Sequence, residues 1–518
     1  MLKRLTLLAE TIVHLKPRQI VGQIMNKVHR PVFVSMSAPE SLCISRINST
    51  IVKPPCLNGY RFSFLNITDD FAGWEMMEHG SLWAYNLNYM DWLEQEDFSM
   101  EDGIKWIDKF IDELPSNRVG LEPYPIALRI INWAKFFSKH PECLSKRRND
   151  SLYAQTLLLE RKLEYHLLGN HLLEDSYALT IASVFFHDER LFRKASRLMI
   201  QQLKEQILPD GAHYEQSPMY HCIMLDRLLD SINFSLSNPL FDGQEAFTST
   251  LKEKATMMLG HLQSIAYSDG TIPLLNDSAY GIAPTVKQLF DYAHRLNILW
   301  KPITLKECGY RKLGDSHIEV IADIGNITAT YQPGHSHADT FSYELRIDGQ
   351  PIIVDTGIST YNKNERRQYE RSTQAHNTVS VGGKDSSHVW GGFRVGRRAK
   401  ATVLKDEAND IIAQHNGFGR QAIHQRHFAC KDGAFYVEDT VIGKEVEAVS
   451  YLHISPNLHA EIVSEADGLI KIGNITVKVE HCHRIELKKD YTSTEYTHLQ
   501  SNDVLALSFI KSLRYSIG

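Results

Sequence analysis

The hydrophobic period of the chain changes once, near Gly309, and that change constrains the fold more than any other feature. Before it, 103–114 (GIKWIDKFIDEL), 125–140 (PIALRIINWAKFFSKH) and 151–168 repeat apolar residues near i, i+3, i+4 and i+7, the spacing of one helix face. The same period runs through 176–186, 191–208, 219–234 and 247–266, with Gly, Pro, Asn and Asp turns between them. After Gly309 the chain alternates in short β-branched runs: 318–332 (IEVIADIGNITATYQ), 341–357 (FSYELRIDGQPIIVDTG), 433–443 (GAFYVEDTVIG) and 468–481 (GLIKIGNITVKVEH). Close-spaced strands of this kind predict an antiparallel sandwich. The expectation is an all-helical half, toroid or solenoid, followed by an all-β half. No fixed-period repeat decides between the two helical forms.

A chain of 518 residues is too long for one ordinary core. We therefore divide it into an N-terminal helical or extended segment (1–80), a helical domain (81–308) and a β-sandwich (309–518). The net charge of -6 gives no broad basic face, which argues against a nucleic-acid partner. The seven cysteines, Cys43, Cys56, Cys143, Cys222, Cys308, Cys430 and Cys482, are scattered and include no CxxC pair; reduced thiols are expected. The opening MLKRLTLLAETIVHLKPRQI is interrupted by Glu10 and His14 and reads as an amphipathic helix rather than a signal peptide. No run is long and apolar enough for a membrane span. These features lead us to expect a cytoplasmic protein, or a periplasmic one if a signal was removed, acting as monomer or homodimer.

Three stretches concentrate reactive side chains. LLGNHLLEDSYAL places Asn170 and His171 at a helix junction, where both could donate hydrogen bonds or serve only as a cap. PDGAHYEQSPMYH gathers Tyr214, Glu215, Gln216, Tyr220 and His221 around Ser217–Pro218, an N-cap followed by proline at the first helical position. GHSHADTFSYEL, read as a strand, would put His335 and His337 on one face. His337, Asp355 and His376 form a nitrogen and oxygen donor set suited to zinc. Histidines bonded to carboxylates, or a site without metal, remain open readings of the same residues. The segments 362–372 (NKNERRQYERS) and 391–400 (GGFRVGRRAK), with Trp390 and Arg394, are candidates for anion and sugar contact.

Together, GNHLLEDSYAL, DGAHYEQSPMYH, GHSHADTFSYEL, PIIVDTG and AHNTVSVGG resemble the heparinase II/III-like polysaccharide lyases over roughly residues 80 to 510. LEPYPIALRIINWAKF and LWAYNLNYMDWL look like parts of that family's helical domain. The resemblance implies an N-terminal (α/α) toroid, a C-terminal antiparallel β-sandwich and a substrate cleft between them. It implies β-elimination beside a uronic acid in an acidic polysaccharide such as a glycosaminoglycan, with no organic cofactor. Tyr220 and His335 match the catalytic pair. Asn170 and His171 fall on the motif that neutralises the uronate carboxylate. His337, Asp355 and His376 match a structural zinc site.

Such a reaction needs donors for charge developing on the carboxylate, a base for the C5 proton and an acid for O4. Tyr220 is expected as proton donor, and as base for one epimer, with His335 as base for the other. Arg129, Tyr214, Glu215, Gln216, His221, Trp390 and Arg394 are expected to contact substrate. A C5-uronyl epimerase and a non-catalytic glycan-binding protein are the competing readings.

Overall fold

The computed structural model describes residues 2–28, 31–39 and 45–518. A helical pair, α1 (Leu2–Ile12) and α2 (Pro17–Val28), precedes a small antiparallel sheet, β1 (Leu57–Asn58), β2 (Arg61–Phe64) and β3 (Ile67–Asp70). There follow α3 (Ser81–Tyr89), α4 (Met100–Glu113), α5 (Pro123–Lys139), α6 (Lys146–Arg161), α7 (Gly169–Phe185), α8 (Glu189–Gln206), α9 (Pro218–Ser237), α10 (Gln244–Ile265) and α11 (Val286–Arg295). α3, α5, α7, α9 and α11 pack one against the next, and α4, α6, α8 and α10 lie outside them. This is the two-layer wall of a helical toroid. The inner helices α5, α7 and α9 are buried on almost every side, so they carry apolar residues all round. The outer α4 and α8 keep one wet face.

The first sandwich strand begins at Tyr310. β4 (Tyr310–Gly314), β5 (Ile318–Asp323), β6 (Tyr343–Ile347) and β7 (Gln350–Ile353) form an antiparallel sheet in that order. A short helix α12 (Glu365–Glu370) leads to β8 (Val379–Val381), and β9 (Val389–Trp390) pairs with β10 (Arg394–Val395). Of the remaining strands, β11 (Ala401–Glu407), β12 (Asp410–His415), β13 (Ala422–Lys431) and β14 (Ala434–Gly443) enter an eight-stranded sheet with β16 (Ala460–Ser464), β17 (Leu469–Ile472), β18 (Ile475–Glu480) and β21 (Ser512–Ile517). β15 (Ala448–His453), β19 (Arg484–Glu495) and β20 (His498–Phe509) pair with β8 in a second four-stranded sheet. An antiparallel bridge from Ile353 to Ile454 joins the two four-stranded sheets. One apolar core lies between them and the eight-stranded sheet, and a separate core fills the helical half.

The structure departs from the sequence reading at several points. The first 300 residues are not all helical, because 57–70 form β1–β3. The N-terminal helix is two helices, broken before Pro17, which cannot continue an i→i−4 ladder. The helix expected over 151–168 ends at Arg161. The strand expected over 318–332 ends at Asp323. GHSHAD is a loop rather than a strand, so alternation is not what relates His335 to His337. Cys43 lies outside the described residues; the six described cysteines are free thiols.

The sandwich carries an internal brace. Buried Asp439 accepts from Arg426 Nε at 2.6 Å, Arg426 Nη2 at 2.8 Å and His424 Nε2 at 2.7 Å. Arg426 Nη1 donates onward to the carbonyls of Phe341 and Asn377, at 2.8 and 2.7 Å. Burial alone would raise the Asp439 carboxyl, but the Arg426 guanidinium outweighs it and holds the group well below the usual carboxylate range. Asp439→Asn leaves Arg426 buried and unpaired, and we expect a loss of roughly 3–5 kcal/mol in denaturant unfolding. A depressed folded value means that this stability is complete above the ordinary carboxylate value of about 4 and drains as pH falls below it. The variant should therefore lose part of the wild type's acid slope.

Candidate functional site

The site forms where three loops meet the N-terminal ends of α7 and α9. α9 is opened by Ser217, whose Oγ accepts from Tyr220 N at 3.1 Å, with Pro218 in the first turn. That cap fixes Tyr220 at the mouth of the helix. α7 is entered through Leu168 and Gly169, both at φ 62°. A Cβ at Gly169 would stand 2.6 Å from Glu215 Oε1, so this position needs glycine for both its backbone and its space. The helix start thereby receives a carboxylate: Asn170 N donates to Glu215 Oε1 at 2.9 Å and Asn170 Nδ2 to Oε2 at 2.8 Å.

His335 closes the arrangement from the sandwich side. Its ring stacks on Tyr220 with centroids 3.9 Å apart. Its Nδ1 lies 2.8 Å from Asp277 Oδ2, so in the neutral ring the proton sits on Nδ1, facing the carboxylate, and Nε2 carries the lone pair. Nε2 stands 3.5 Å from both Asn170 Nδ2 and Glu215 Oε2. Tyr361 completes the group, its hydroxyl 3.5 Å from that of Tyr220 and 3.4 Å from His335 Nδ1.

Asp277, absent from the sequence reading, holds these parts together. Its Oδ1 faces His337 Nε2 at 2.7 Å and Arg367 Nη1 at 2.5 Å, and Arg367 Nη2 reaches Oδ2 at 2.7 Å. Burial would raise this carboxyl; Arg367 and the two imidazole bonds outweigh that and hold it well below the ordinary range. The signal that could have found it is LLNDSAYG, a polar Asn-Asp-Ser triplet framed by apolar residues between α10 and α11.

Tyr220 faces a cavity of about 90 Å³, lined also by Tyr89, Tyr124, Tyr361, Tyr496 and Glu174. This cavity adjoins a groove of about 660 Å³ that shares Lys53, Asn86 and Asp91 with it. Burial pushes the Tyr220 phenol up, and Asp277 and Glu215 add to that against the hydrogen bond from Tyr361. The phenol therefore keeps its proton, contrary to the depression that a tyrosine base requires. Burial also raises the Glu174 carboxyl, to about 7. His171 bonds Glu164 through Nδ1 at 3.0 Å and packs on Tyr124. Burial opposes its charge, yet Glu164 holds it above its usual value.

Several expected contacts lie elsewhere. Arg129 is fully buried, donating to Gln155 Oε1 and the carbonyls of Asn88 and Gly120, and so cannot meet a substrate. Tyr214 bonds Tyr331, Gln216 bonds the carbonyls of Cys308 and Asn326, and His221 bonds Met258 O; all three are buried supports. Trp390 donates to Thr11 and carries Arg394 on its ring, on the N-terminal helices rather than at Tyr220. The basic stretch 362–372 is largely internal: Arg366 pairs with Glu370, Arg367 with Asp277, and Arg371 with Ser336 O. Glu215 lies in the site as an internal partner of Asn170.

Behind His337, Asp355 Oδ2 accepts from His376 Nδ1 at 2.7 Å, and the His337 and His376 rings are 5.2 Å apart. His337 Nδ1 and His376 Nε2 are buried without a hydrogen-bond partner. Burial lowers His337 to about 3, so its ring is neutral. Among the described residues, the three-residue group whose donor atoms all lie within 4.8 Å of one another is Asp210, His261 and Cys308. There Asp210 Oδ2 already accepts from the amides of Lys306 and Cys308.

The heparinase II/III N-terminus model matches residues 142–296, and the heparinase II/III-like C-terminal model matches 298–509. The chain belongs to the heparinase II/III-like family. It is 21% identical over 355 residues to a heparin-sulfate lyase of Bacteroides thetaiotaomicron, covering 58% of this chain and 48% of that protein. A heparin-sulfate lyase of Pedobacter heparinus is 23% identical over 333 residues, covering 58% and 47%. The chain thus spans about half the length of these relatives. The crystal structure of heparinase III superposes with a TM-score of 0.65 at 15% identity, over 87% of this chain and 79% of that one. Heparan sulfate lyase HepC from Pedobacter heparinus gives 0.54 at 16%, over 96% and 87%. The toroid followed by a sandwich is therefore this family's architecture.

Gly169 offers a direct check on the frame of the site. Gly169→Ala should lower stability by roughly 1–3 kcal/mol, because a side chain is forced to positive φ. It should also displace Glu215 from Asn170, visible as a change at both residues in a crystal structure of the variant.

Proposed function

We propose that the chain is a polysaccharide lyase that cleaves an acidic, uronate-containing polysaccharide by β-elimination. The observation that carries this reading is the Tyr220–His335 stack, a phenol from the helical half against an imidazole from the sandwich, beside Asn170. The names of the relatives, heparin-sulfate lyases, support a glycosaminoglycan of that class as substrate.

In this reading His335 Nε2 removes the proton from C5 of the uronate. Asp277 holds the Nδ1 proton in place and stabilises the imidazolium that forms. The electron pair moves toward the carboxylate, and Asn170 Nδ2 donates to the developing charge, a contact worth roughly 3–4 kcal/mol. His171, held toward its charged form by Glu164, adds positive potential. The C4–O4 bond then breaks, and the Tyr220 phenol gives its proton to O4. Its raised value supports the donor role for Tyr220 and the base role for His335.

The same reading keeps a structural zinc but not all of its expected ligands: His337 Nδ1 and His376 Nε2, two buried nitrogens without a partner, would hold it, whereas Asp355, expected as a third ligand, already bonds His376 Nδ1 and the amide of Gly357. Asp355 orients His376 through Nδ1. Bound metal would tie the His337 loop to the segment before β8, and no step of the elimination passes through it.

Turnover of heparan sulfate and other uronate polymers should release an unsaturated uronate, followed by its ultraviolet absorbance. Tyr220→Phe should lower the rate roughly 10²–10⁴-fold while the polymer still binds. An epimerised polymer without unsaturated product, or an unimpaired Tyr220→Phe variant, would overturn the assignment. Elemental analysis should find zinc in the wild type and less in His376→Ala; a metal-free wild type after zinc reconstitution would remove the metal from the reading.

A further inference from the structure

The N-terminal helical pair is amphipathic in the wrong sense for a soluble domain. The apolar residues turned to solvent are Leu5, Leu8, Ala9 and Ile12 on α1, Val13 just after it, and Ile20, Val21, Ile24, Met25 and Val28 on α2. Each set follows a helical period and forms one continuous apolar stripe. Val13 and Val28 are 75% and 77% exposed. The extended segment beyond adds Val32, Val34 and Met36. Close to half of the exposed large apolar side chains among the described residues fall in these first 36 positions. An uncovered patch of this kind marks a surface meant for an apolar partner.

The face turned toward the protein is polar. Glu10 accepts from His388 Nδ1 at 2.8 Å and from Arg397 N at 3.0 Å. Thr11 accepts from Trp390 Nε1 at 3.1 Å. Gln19 donates to the carbonyls of Leu167 and Tyr331, and a Cβ at Gly22 would lie 2.7 Å from His166 N. The apolar stripe is therefore not an exposed remnant of a core contact, because docking uses the opposite face.

Charge decides what covers it. Residues 1–39 carry Lys3, Arg4, Lys16, Arg18, Lys27 and Arg30 against Glu10 alone, a net charge of +5 in a chain of net -6; Lys16 is paired with Glu205 and Arg18 stacks on Tyr165, which still leaves the segment net positive. The single acid is turned inward, onto His388 and Arg397. Two copies meeting through this face would bring two such positive segments together, whereas an anionic bilayer attracts both the charge and the apolar stripe. No helix among the described residues is long and apolar enough to cross a membrane; a stripe on two short helices suits the bilayer interface.

We propose that α1 and α2 dock the protein on an anionic membrane surface, with the Leu8–Ile24 face in the headgroup and acyl boundary. The test is flotation of the full chain with phosphatidylcholine vesicles, with and without phosphatidylglycerol, at low salt and at about 1 M salt, where screening is nearly complete. The wild type should float with the anionic vesicles at least tenfold better than with the neutral ones, and salt should weaken that binding. Leu8→Glu/Ile24→Glu should abolish flotation while circular dichroism and the thermal midpoint stay unchanged, since neither side chain packs inward. Arg4→Glu/Lys27→Glu should lose only the preference for anionic lipid. Equal recovery with and without phosphatidylglycerol overturns the proposal. So does a vesicle-independent dimer, seen by light scattering, that Leu8→Glu/Ile24→Glu disperses, because the stripe would then belong to a second copy.

Discussion

One carboxylate carries the centre of this molecule. Asp277 sits on the loop between α10 and α11, in the helical half, and its three partners, His335, His337 and Arg367, all come from the sandwich half. An isolated carboxylate at this depth would cost several kcal/mol. It stays ionised because a bidentate guanidinium and two imidazole donors surround it. The arrangement works in both directions. Ionised Asp277 ties the two halves together alongside contacts such as Tyr214–Tyr331 and Gln216–Asn326 O, and it accepts from Nδ1–H of His335, so that in the neutral ring Nε2 faces Asn170.

The neighbouring buried charges extend the same logic. Arg426, neutralised by Asp439 on the eight-stranded sheet, reaches the carbonyls just beyond the His337 loop and just beyond His376. Arg371 holds Ser336 O from the other side. The loop that carries His335 and His337 has no strand ladder of its own, so these guanidinium contacts supply what backbone pairing would otherwise provide. Tyr220 is fixed differently, by the cap and first turn of α9. A rigid helix end therefore presents the phenol, and a charge-braced loop presents the imidazole. The proposed division of acid and base roles rests on these settings, a phenol that burial holds in its neutral form and an imidazole braced through Nδ1.

The switch in apolar period near Gly309 was legible because toroid helices and sandwich strands bury surfaces of different spacing. Ser217–Pro218 was legible as a cap because local hydrogen bonding dictates it. The relation of His335 to His337 was anticipated for the wrong reason. Strand alternation would have placed them on one face, but they share a face because both reach Asp277. Arg129 and the 362–372 arginines illustrate the limit. Composition cannot distinguish an arginine that waits for an anion from one already satisfied by carbonyls or by a carboxylate some 90 residues away. Asp277 was missed for the same reason, since its importance lies entirely in partners that are remote in sequence.

The N-terminal pair belongs to this frame rather than hanging from it. Gln19 Nε2 donates to Leu167 O, two residues before Gly169, and to Tyr331 O, four residues before His335. One amide thus bridges the helical and sandwich halves, at the approach to Asn170 and the approach to His335. Lys16 reinforces it over the Tyr331 ring, and Arg18 stacks on Tyr165. The polar side of the hairpin is committed to holding the two half-sites in register, and its apolar side takes no part in that. A surface that engages only the outer stripe can therefore position the whole cleft relative to a bilayer without disturbing the distance between Tyr220 and His335.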